Sequence, residues 1–246
     1  MKISLINAGK RFNRDWIFRN ISQEFISGTA YAITGPNGSG KSTLLQVIGG
    51  AMMMSEGKAR YTIGNWQWAI GNVDPDTSAA QGQLAIDNQQ PTIAGKPQQS
   101  GEAVREIDID KAFQYISIAA PYLELIEEMT LTEFLQFHQQ FKPFLPAIRI
   151  SDIIQIIGLT AAADKQIRFY SSGMKQRVKL AQAIFSNVPC VLLDEPCTNL
   201  DAAGIGLYHQ LINNYGNNRL IIVSSNDEQE YSFCQEKLSI MDYKNR

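Results

Sequence analysis

A glycine-rich run near the N-terminus carries the residue types that bind phosphate groups. It lies between an apolar segment at residues 30–34 and a helical pattern at residues 41–49, and its spacing fits G-x-x-x-x-G-K-[ST]. Glycines let the backbone curl until its N–H groups converge on phosphate oxygens, and the following helix adds its positive end. A lysine then reaches the outer phosphates, and a hydroxyl can bind Mg²⁺. The predicted nucleoside triphosphate site consists of Gly35, Pro36, Asn37, Gly38, Ser39, Gly40, Lys41, Ser42 and Thr43, with Lys41 and Ser42 in those last two roles.

Two adjacent carboxylates follow an apolar run at residues 188–193. Side chains alternate along a strand, so Asp194 and Glu195 should not play the same part. We expect Asp194 to hold the Mg²⁺ shell and Glu195 to orient and deprotonate an attacking water. An Asp-Glu pair at a strand end is by itself also typical of ordinary structure. The phosphate-binding run upstream favours the catalytic interpretation.

A third motif, YSSGMKQR at residues 170–177, stands just before that apolar run. Ser171, Ser172 and Gly173 would present a hydroxyl and backbone N–H groups at a helix N-terminus, where anions bind favourably. Taken alone, the pattern fits an ordinary helix cap equally well.

The order and spacing of GPNGSGKST, YSSGMKQR, LLDEP and NLD resemble those of the ABC ATPase family over nearly the whole chain. In the terms of that family, these segments correspond to the Walker A loop, the signature, the Walker B strand and the D-loop. Ser172 replaces the first glycine of the usual signature. The resemblance also implies that Phe12 stacks on adenine. A core position at a strand end is the alternative for Phe12, and Trp16 is a rival for the stacking role.

The resemblance implies that the chain binds ATP and Mg²⁺. Two cassettes would pair head to tail and hold each ATP between the Walker A loop of one and the signature of the other. The second cassette would be another copy of this chain or a sister chain. Closure would move the attached membrane domains of a permease partner. The implied function is the ATP-binding and ATP-hydrolysing subunit of a membrane transporter, a switch of the kind that any ligand with different affinity for two states can drive.

Two positions depart from the family pattern. Asn226 stands where a histidine usually contacts the γ-phosphate, and no glutamine occurs at Ala120 or Pro121, where one usually ends a strand. The two histidines of the chain, His138 and His209, match neither position, and we expect both to be partly buried structural residues. A degenerate cassette that binds ATP as a regulatory half-site therefore remains an alternative. A DNA-repair or chromosome-type ATPase is a second one, although the chain lacks sustained heptads and cysteine clusters.

Alternating strand and helix patterns predict an α/β fold. The resemblance adds a P-loop NTPase core of RecA-like type, an antiparallel β lobe and a helical lobe at residues 122–170, within a single domain over residues 1–246. Thr130 and Glu133 form a predicted capping box, and Ser151 is the predicted cap of the next helix. Residues 72–106 contain six glutamines, three prolines and no aromatic residue, which predicts a flexible inserted loop.

Composition limits the other function classes. The chain has 246 residues and a net charge of -2, so no general basic field points to nucleic acid. No apolar stretch approaches the roughly 18 to 20 residues that cross a bilayer. We therefore expect a cytoplasmic protein, peripheral on the inner face of the cell membrane through its permease. The cysteines, Cys190, Cys197 and Cys234, have no metal-ligand spacing and are expected to be buried or half-buried thiols.

Overall fold

The computed structural model describes residues 1–64, 105–146 and 148–244, which form two β-sheets flanked by helices. The strands are β1 Lys2–Phe12, β2 Asp15–Ile26, β3 Ala30–Thr34, β4 Glu56–Ile63, β5 Arg105–Ile107, β6 Ile116–Ala119, β7 Cys190–Asp194, β8 Leu220–Ser224 and β9 Glu236–Ser239. The α-helices are α1 Lys41–Ile48, α2 Leu131–Phe141, α3 Ile150–Ile156, α4 Ser172–Phe185, α5 Ala202–Tyr215 and α6 Glu228–Tyr231.

The central sheet is parallel, with the strand order β6-β7-β8-β3-β9. Every residue of β7 and of β8 is buried, as expected for strands covered on both faces. Because the strands are parallel, their carboxyl ends share one edge. Asp194 at the end of β7 pairs with Ser224 at the end of β8, and Ile33 near the end of β3 pairs with the same serine. The predicted α/β class is confirmed.

The second sheet is antiparallel and has the order β2-β1-β4-β5. Its edge strand corrects one prediction. Arg105 and Glu106 were expected in the inserted loop, but they pair with Ile63 and Thr62 of β4. The loop was predicted from composition averaged over the whole segment, which cannot detect a short strand that exists only through its partner. The remainder, residues 72–104, lies outside the described residues.

The helical segment, residues 122–170, begins as the sequence predicted. Its second helix, α3, begins at a different residue from the predicted one. The Thr130 hydroxyl accepts a hydrogen bond from the Glu133 N–H at 3.2 Å, and the Glu133 carboxylate accepts one from the Thr130 N–H at 2.8 Å, which confirms the capping box. The predicted cap at Ser151 was wrong, because the N-cap of α3 is Arg149, two residues earlier, and Ser151 lies inside the helix. There the Arg149 N–H donates to the Asp152 carboxylate at 3.1 Å. This hydrogen bond joins the N-cap backbone to a side chain in the first turn of α3, and Ser151 takes no part in it.

The apolar run at residues 113–119 is only partly a strand. Residues Ile109–Tyr115 form a 3-10 helix, and the strand β6 begins only at Ile116. Phe113 is 62% exposed in that turn, so the apolar run does not mark continuous burial.

Helix α1 is held between the two sheets, and this places the phosphate-binding run that precedes it. Its fully buried Leu44, Leu45 and Ile48 belong to one core cluster with Ile3 and Phe25 of the antiparallel sheet. The Tyr61 hydroxyl of β4 donates to the Ile48 carbonyl at 3.0 Å, at the carboxyl end of the helix. A second cluster packs α4, α5 and the helical segment against the central sheet.

Candidate functional site

The glycine-rich loop closes tightly between β3 and α1. Gly35 and Gly40 have φ angles of 148° and 101°, and a Cβ added to Gly40 would lie 2.2 Å from Cγ2 of Ile17. No side chain fits there, so the loop requires glycine for its shape. Lys41 is only 4% exposed, and its Nζ donates to the Pro36 carbonyl at 3.3 Å across the loop. A buried ammonium enclosed by a backbone loop is a site for an anion.

Three buried side-chain oxygens at the shared strand edge lack hydrogen-bond partners within the described part of the chain. They are Ser39 Oγ in the loop, Asp194 Oδ1 at the end of β7 and Ser224 Oγ at the end of β8. Buried polar groups almost always have partners, so several oxygens without one at the same strand edge are candidates for contact with a ligand. Of these, the Asp194 carboxylate is the kind of oxygen ligand that Mg²⁺ takes together with phosphates and water. Ser224 was missed from the sequence, where it looks like the end of an apolar strand.

Glu195 differs from its neighbour Asp194 in backbone conformation and in burial. Asp194 is 1% exposed, whereas Glu195 is half-buried and has a φ of 44°, in the left-handed region. Its N–H donates to the Ser224 carbonyl at 2.8 Å, and its carbonyl accepts from the Thr198 N–H at 3.1 Å. Non-glycine residues in this region are strained, and such residues cluster at functional sites.

A buried carboxylate from another element supports this segment. Glu230 of α6 is 5% exposed and accepts a hydrogen bond from the Cys197 N–H at 2.7 Å. Burial raises the pKa of Glu230, and hydrogen bonds from Ser225 and Cys197 oppose the rise. Gln176 of α4 donates to the Pro196 carbonyl at 2.7 Å. Sequence reasoning missed both partners, because neither lies in a motif.

Asn226 lies where the sequence placed it, at the carboxyl edge of the central sheet just after β8. Its side chain is exposed. The preceding Ser225 N–H donates to the Ile33 carbonyl at 3.1 Å, and the following Asp227 caps α6 by accepting from the Gln229 N–H at 3.0 Å. Both neighbours fix the backbone, so position 226 presents its side chain from a defined turn.

The signature residues form a second, separate surface. The Ser171 hydroxyl caps α4 by accepting from the Met174 N–H at 3.2 Å, and a Cβ on Gly173 would lie 2.9 Å from the Asn199 carbonyl. Arg177 forms an ion pair with Asp201 at 3.6 Å. These segments surround a cavity of about 480 Å³, lined by Gly158, Leu159, Ala161, Ala162, Ser171, Ser172, Gly173, Met174, Arg177, Asn199, Leu200 and Asp201. No residue of the phosphate loop lines it, so the two surfaces are separate on the chain.

The two aromatic candidates for adenine stacking differ in their surroundings. Phe12 ends β1 and is 46% exposed, with Lys10 Nζ 5.1 Å from its ring centre. Trp16 is half-buried, and the Arg19 guanidinium lies 4.4 Å from its ring. The Phe12 ring is the more accessible of the two.

The histidines and cysteines stand apart from these surfaces. His138 is half-buried, and its Nε2 lies 3.0 Å from Ser186 Oγ, while His209 is half-buried in α5 beside Tyr208. Cys190 and Cys197 are buried free thiols, Cys234 is a half-buried one, and burial raises the pKa of each to about 12. These placements agree with the structural roles expected from the sequence.

Comparison with known proteins identifies the family. A family model described as "ABC transporter" matches residues 18–198. The chain is 25% identical to the uncharacterized ABC transporter ATP-binding protein YybJ of Bacillus subtilis, covering 97% of this chain and 92% of that protein. It is also 25% identical to the cytochrome c biogenesis ATP-binding export protein CcmA of Agrobacterium fabrum, covering 96% and 94%.

Solved structures agree on the fold. The dimeric structure of MJ0796, a bacterial ABC transporter cassette, superposes with a TM-score of 0.67 at 21% identity, covering 97% of this chain and 94% of that one. The chain belongs to the ABC transporter family and is an ATP-binding ATPase cassette of that family. In the described ranges, no helix is both long and apolar enough to cross a membrane.

Proposed function

We propose that this cassette binds Mg–ATP at the edge where β3, β7 and β8 end, with Lys41 on the outer phosphates. Ser42 and Asp194 hold the metal, and Phe12 stacks on the base. The observation that carries the proposal is the set of buried oxygens on Ser39, Asp194 and Ser224, which have no hydrogen-bond partner among the residues that the structure describes. Within the described residues no group of three or more His, Cys, Asp or Glu side chains could hold a metal ion. Mg²⁺ commonly takes most of its ligands from substrate phosphates and water and only one or two from carboxylates.

Glu195 is the proposed base, and it orients and deprotonates the attacking water. Bound Mg²⁺ would supply charge stabilisation for the outer phosphates. The backbone of the 195–197 segment is held by Ser224, Gln176 and Glu230. This support keeps the carboxylate in place, and positioning of this kind is a large part of phosphoryl-transfer catalysis.

Each chain carries a phosphate loop and a separate signature cavity, so we propose that two cassettes assemble head to tail. Ser171, Ser172 and Gly173 of one chain then complete the site on the other. Dimerisation drives a transmembrane permease, which holds the cassette at the cytoplasmic face of the cell membrane. The dimeric state of MJ0796 supports this arrangement.

Glu195→Gln tests the proposal, since it removes the base and keeps the shape. We expect ATP affinity within about twofold of the parent, turnover lowered by about 10² to 10⁴, and an ATP-dependent dimer on size-exclusion chromatography with light scattering. Lys41→Ala is the matched control, and it should lose ATP binding. Turnover of Glu195→Gln at the parent rate would remove Glu195 from the role of base.

A second candidate function is a cassette that binds ATP as a regulatory half-site and hydrolyses it slowly. The observation that favours it is Asn226 at the switch position, because an asparagine is shorter than histidine and carries no charge near neutral pH. The turnover of the purified parent protein separates the two candidates.

A further inference from the structure

A buried carboxylate joins the two segments that carry the candidate catalytic side chains. Glu230 lies in α6, the short helix that follows the turn of Asn226, and it is only 5% exposed. Its Oε1 accepts a hydrogen bond from the Cys197 N–H at 2.7 Å, in the segment that begins with Glu195. The segment after β7 and the turn after β8 are therefore connected through one side chain.

The main chain of Glu230 is held as firmly as its carboxylate. Its N–H donates to the Asp227 carbonyl at 3.1 Å, and its carbonyl accepts from the hydroxyl of the fully buried Tyr208 at 2.7 Å. The Asp227 N–H in turn donates to Oγ of Ser225 at 2.9 Å, and Ser225 is fully buried. The turn that presents Asn226 and the start of the Glu230 side chain thus form one hydrogen-bonded unit.

The segment that Glu230 contacts is strained. Glu195 has a φ of 44°, and left-handed backbone at a residue other than glycine persists only where its surroundings enforce it. The Glu195 N–H, the Pro196 carbonyl and the Cys197 N–H each bond to a different element, namely β8, α4 and α6. The contact with α6 is the last of the three, so its loss would free the strained segment at one end.

We propose that Glu230 is a positioning residue for ATP hydrolysis, and that it fixes the separation between Glu195 and the side chain at position 226. The two side chains then act on one nucleotide from set directions, and misplacement by about 1 Å can cost about 10²-fold in rate. A buried carboxylate costs free energy that an apolar side chain would avoid, so packing alone does not account for Glu230. The inference rests on the proposed function, in which Glu195 is the base.

Glu230→Ala tests the inference, because it removes the carboxylate and leaves the backbone of α6. Steady-state phosphate release should show kcat lowered about tenfold or more, while the KM for ATP stays within about twofold. Glu230→Gln keeps an oxygen acceptor for the Cys197 N–H and should retain kcat within about threefold. Tyr208→Phe is the matched control, since it removes the hydrogen bond to the Glu230 carbonyl and leaves the carboxylate in place. It should lower stability and leave kcat within about twofold.

Parent kcat in Glu230→Ala would overturn the inference. So would an equal loss of kcat in Tyr208→Phe, which would indicate a general loss of structure, or an equal loss in Glu230→Gln. Where Glu230→Ala fails to fold, Glu230→Asp decides, because it shortens the side chain and keeps the carboxylate. Its kcat should fall at an unchanged KM, and parent kcat in this variant would also overturn the inference. Parent turnover in Glu195→Gln would instead overturn the proposed function.

Discussion

Glu195 and Asn226 show how differently two site residues are held. Glu195 occupies left-handed backbone at a φ of 44°, a strain of about 1 to 3 kcal/mol that its surroundings must offset. Asn226 is exposed, and its backbone φ is not positive. Replacement at 226 therefore changes the chemistry of one side chain and leaves the fold alone.

Asn226→His should raise ATP turnover by about 10- to 100-fold, while ATP affinity stays within about threefold. The histidine supplies an aligned donor to the terminal phosphate, and loss of one such donor commonly costs about 10² to 10³ in rate. Steady-state phosphate release measures the effect. Asn217→His, an exposed site just before β8 and thus at its other end, serves as the control and should have no effect.

A parent protein that turns over at about one per second or faster, the ordinary range for enzymes, would contradict this expectation. Asn226 would then be an adequate substitute for histidine.

At the scale of elements, the two ends of α2 lie in different surroundings. Its first turn is stabilised by the Thr130–Glu133 capping box, and its inner stripe buries Leu131 and Leu135 completely. His138 continues that stripe in the last turn, with its ring 5.3 Å from Phe144. Burial, aided by the charge of Lys142, lowers the pKa of His138 to about 4.

His138 should make the folded protein less stable as the pH decreases from about 6.5 to about 4. Its pKa is lower in the folded state than in the unfolded state, so in that window the unfolded chain binds more protons. The contribution is complete above pH 6.5 and is lost as pH falls toward 4. After discounting for partial exposure, the unfolding free energy that His138 causes to be lost by pH 5 is about 1 to 2 kcal/mol.

Urea unfolding of the parent and of His138→Gln, each at pH 8 and at pH 5, measures this contribution. The difference in unfolding free energy between the two pH values should be smaller in the variant by that amount. An identical difference would show that His138 titrates normally.

At the scale of the whole molecule, sequence patterns predicted those features that depend on residues close together in the chain. The phosphate loop, the Thr130 cap and the apolar strands β3, β7 and β8 depend on nearby residues, and the structure places them as expected. Glu230 could not be found, since its bond to Cys197 joins residues 33 apart in the chain.

The same reason explains the buried Arg219 and the strand β9. Arg219 is 1% exposed because its guanidinium donates to carbonyls that tertiary folding brings to it, among them Val188 at 2.9 Å and Ser186 at 2.7 Å. An arginine is otherwise expected at the surface. Strand β9 is short and polar at its start, and it forms only by pairing with β3.

The composition of residues 72–104 predicts that their replacement by a short Gly/Ser linker leaves the fold and ATP binding intact. We expect a segment of this composition to contribute little apolar burial, so the melting temperature should change by no more than about 3 °C. The sharper comparison removes residues 72–107, which also deletes β5 and its pairing with β4. That variant should melt clearly lower. A large loss in the shorter deletion would show that residues 72–104 pack as structure.

The three buried oxygens on Ser39, Asp194 and Ser224 have no hydrogen-bond partner among the described residues. They also affect how well the protein resists proteolysis. An empty site leaves buried polar atoms unsatisfied at about 1 to 3 kcal/mol each, and a bound nucleotide relieves part of that. Ligand at about 100 times its dissociation constant adds about 2.7 kcal/mol of stability. The cassette should therefore resist proteolysis best when nucleotide is plentiful.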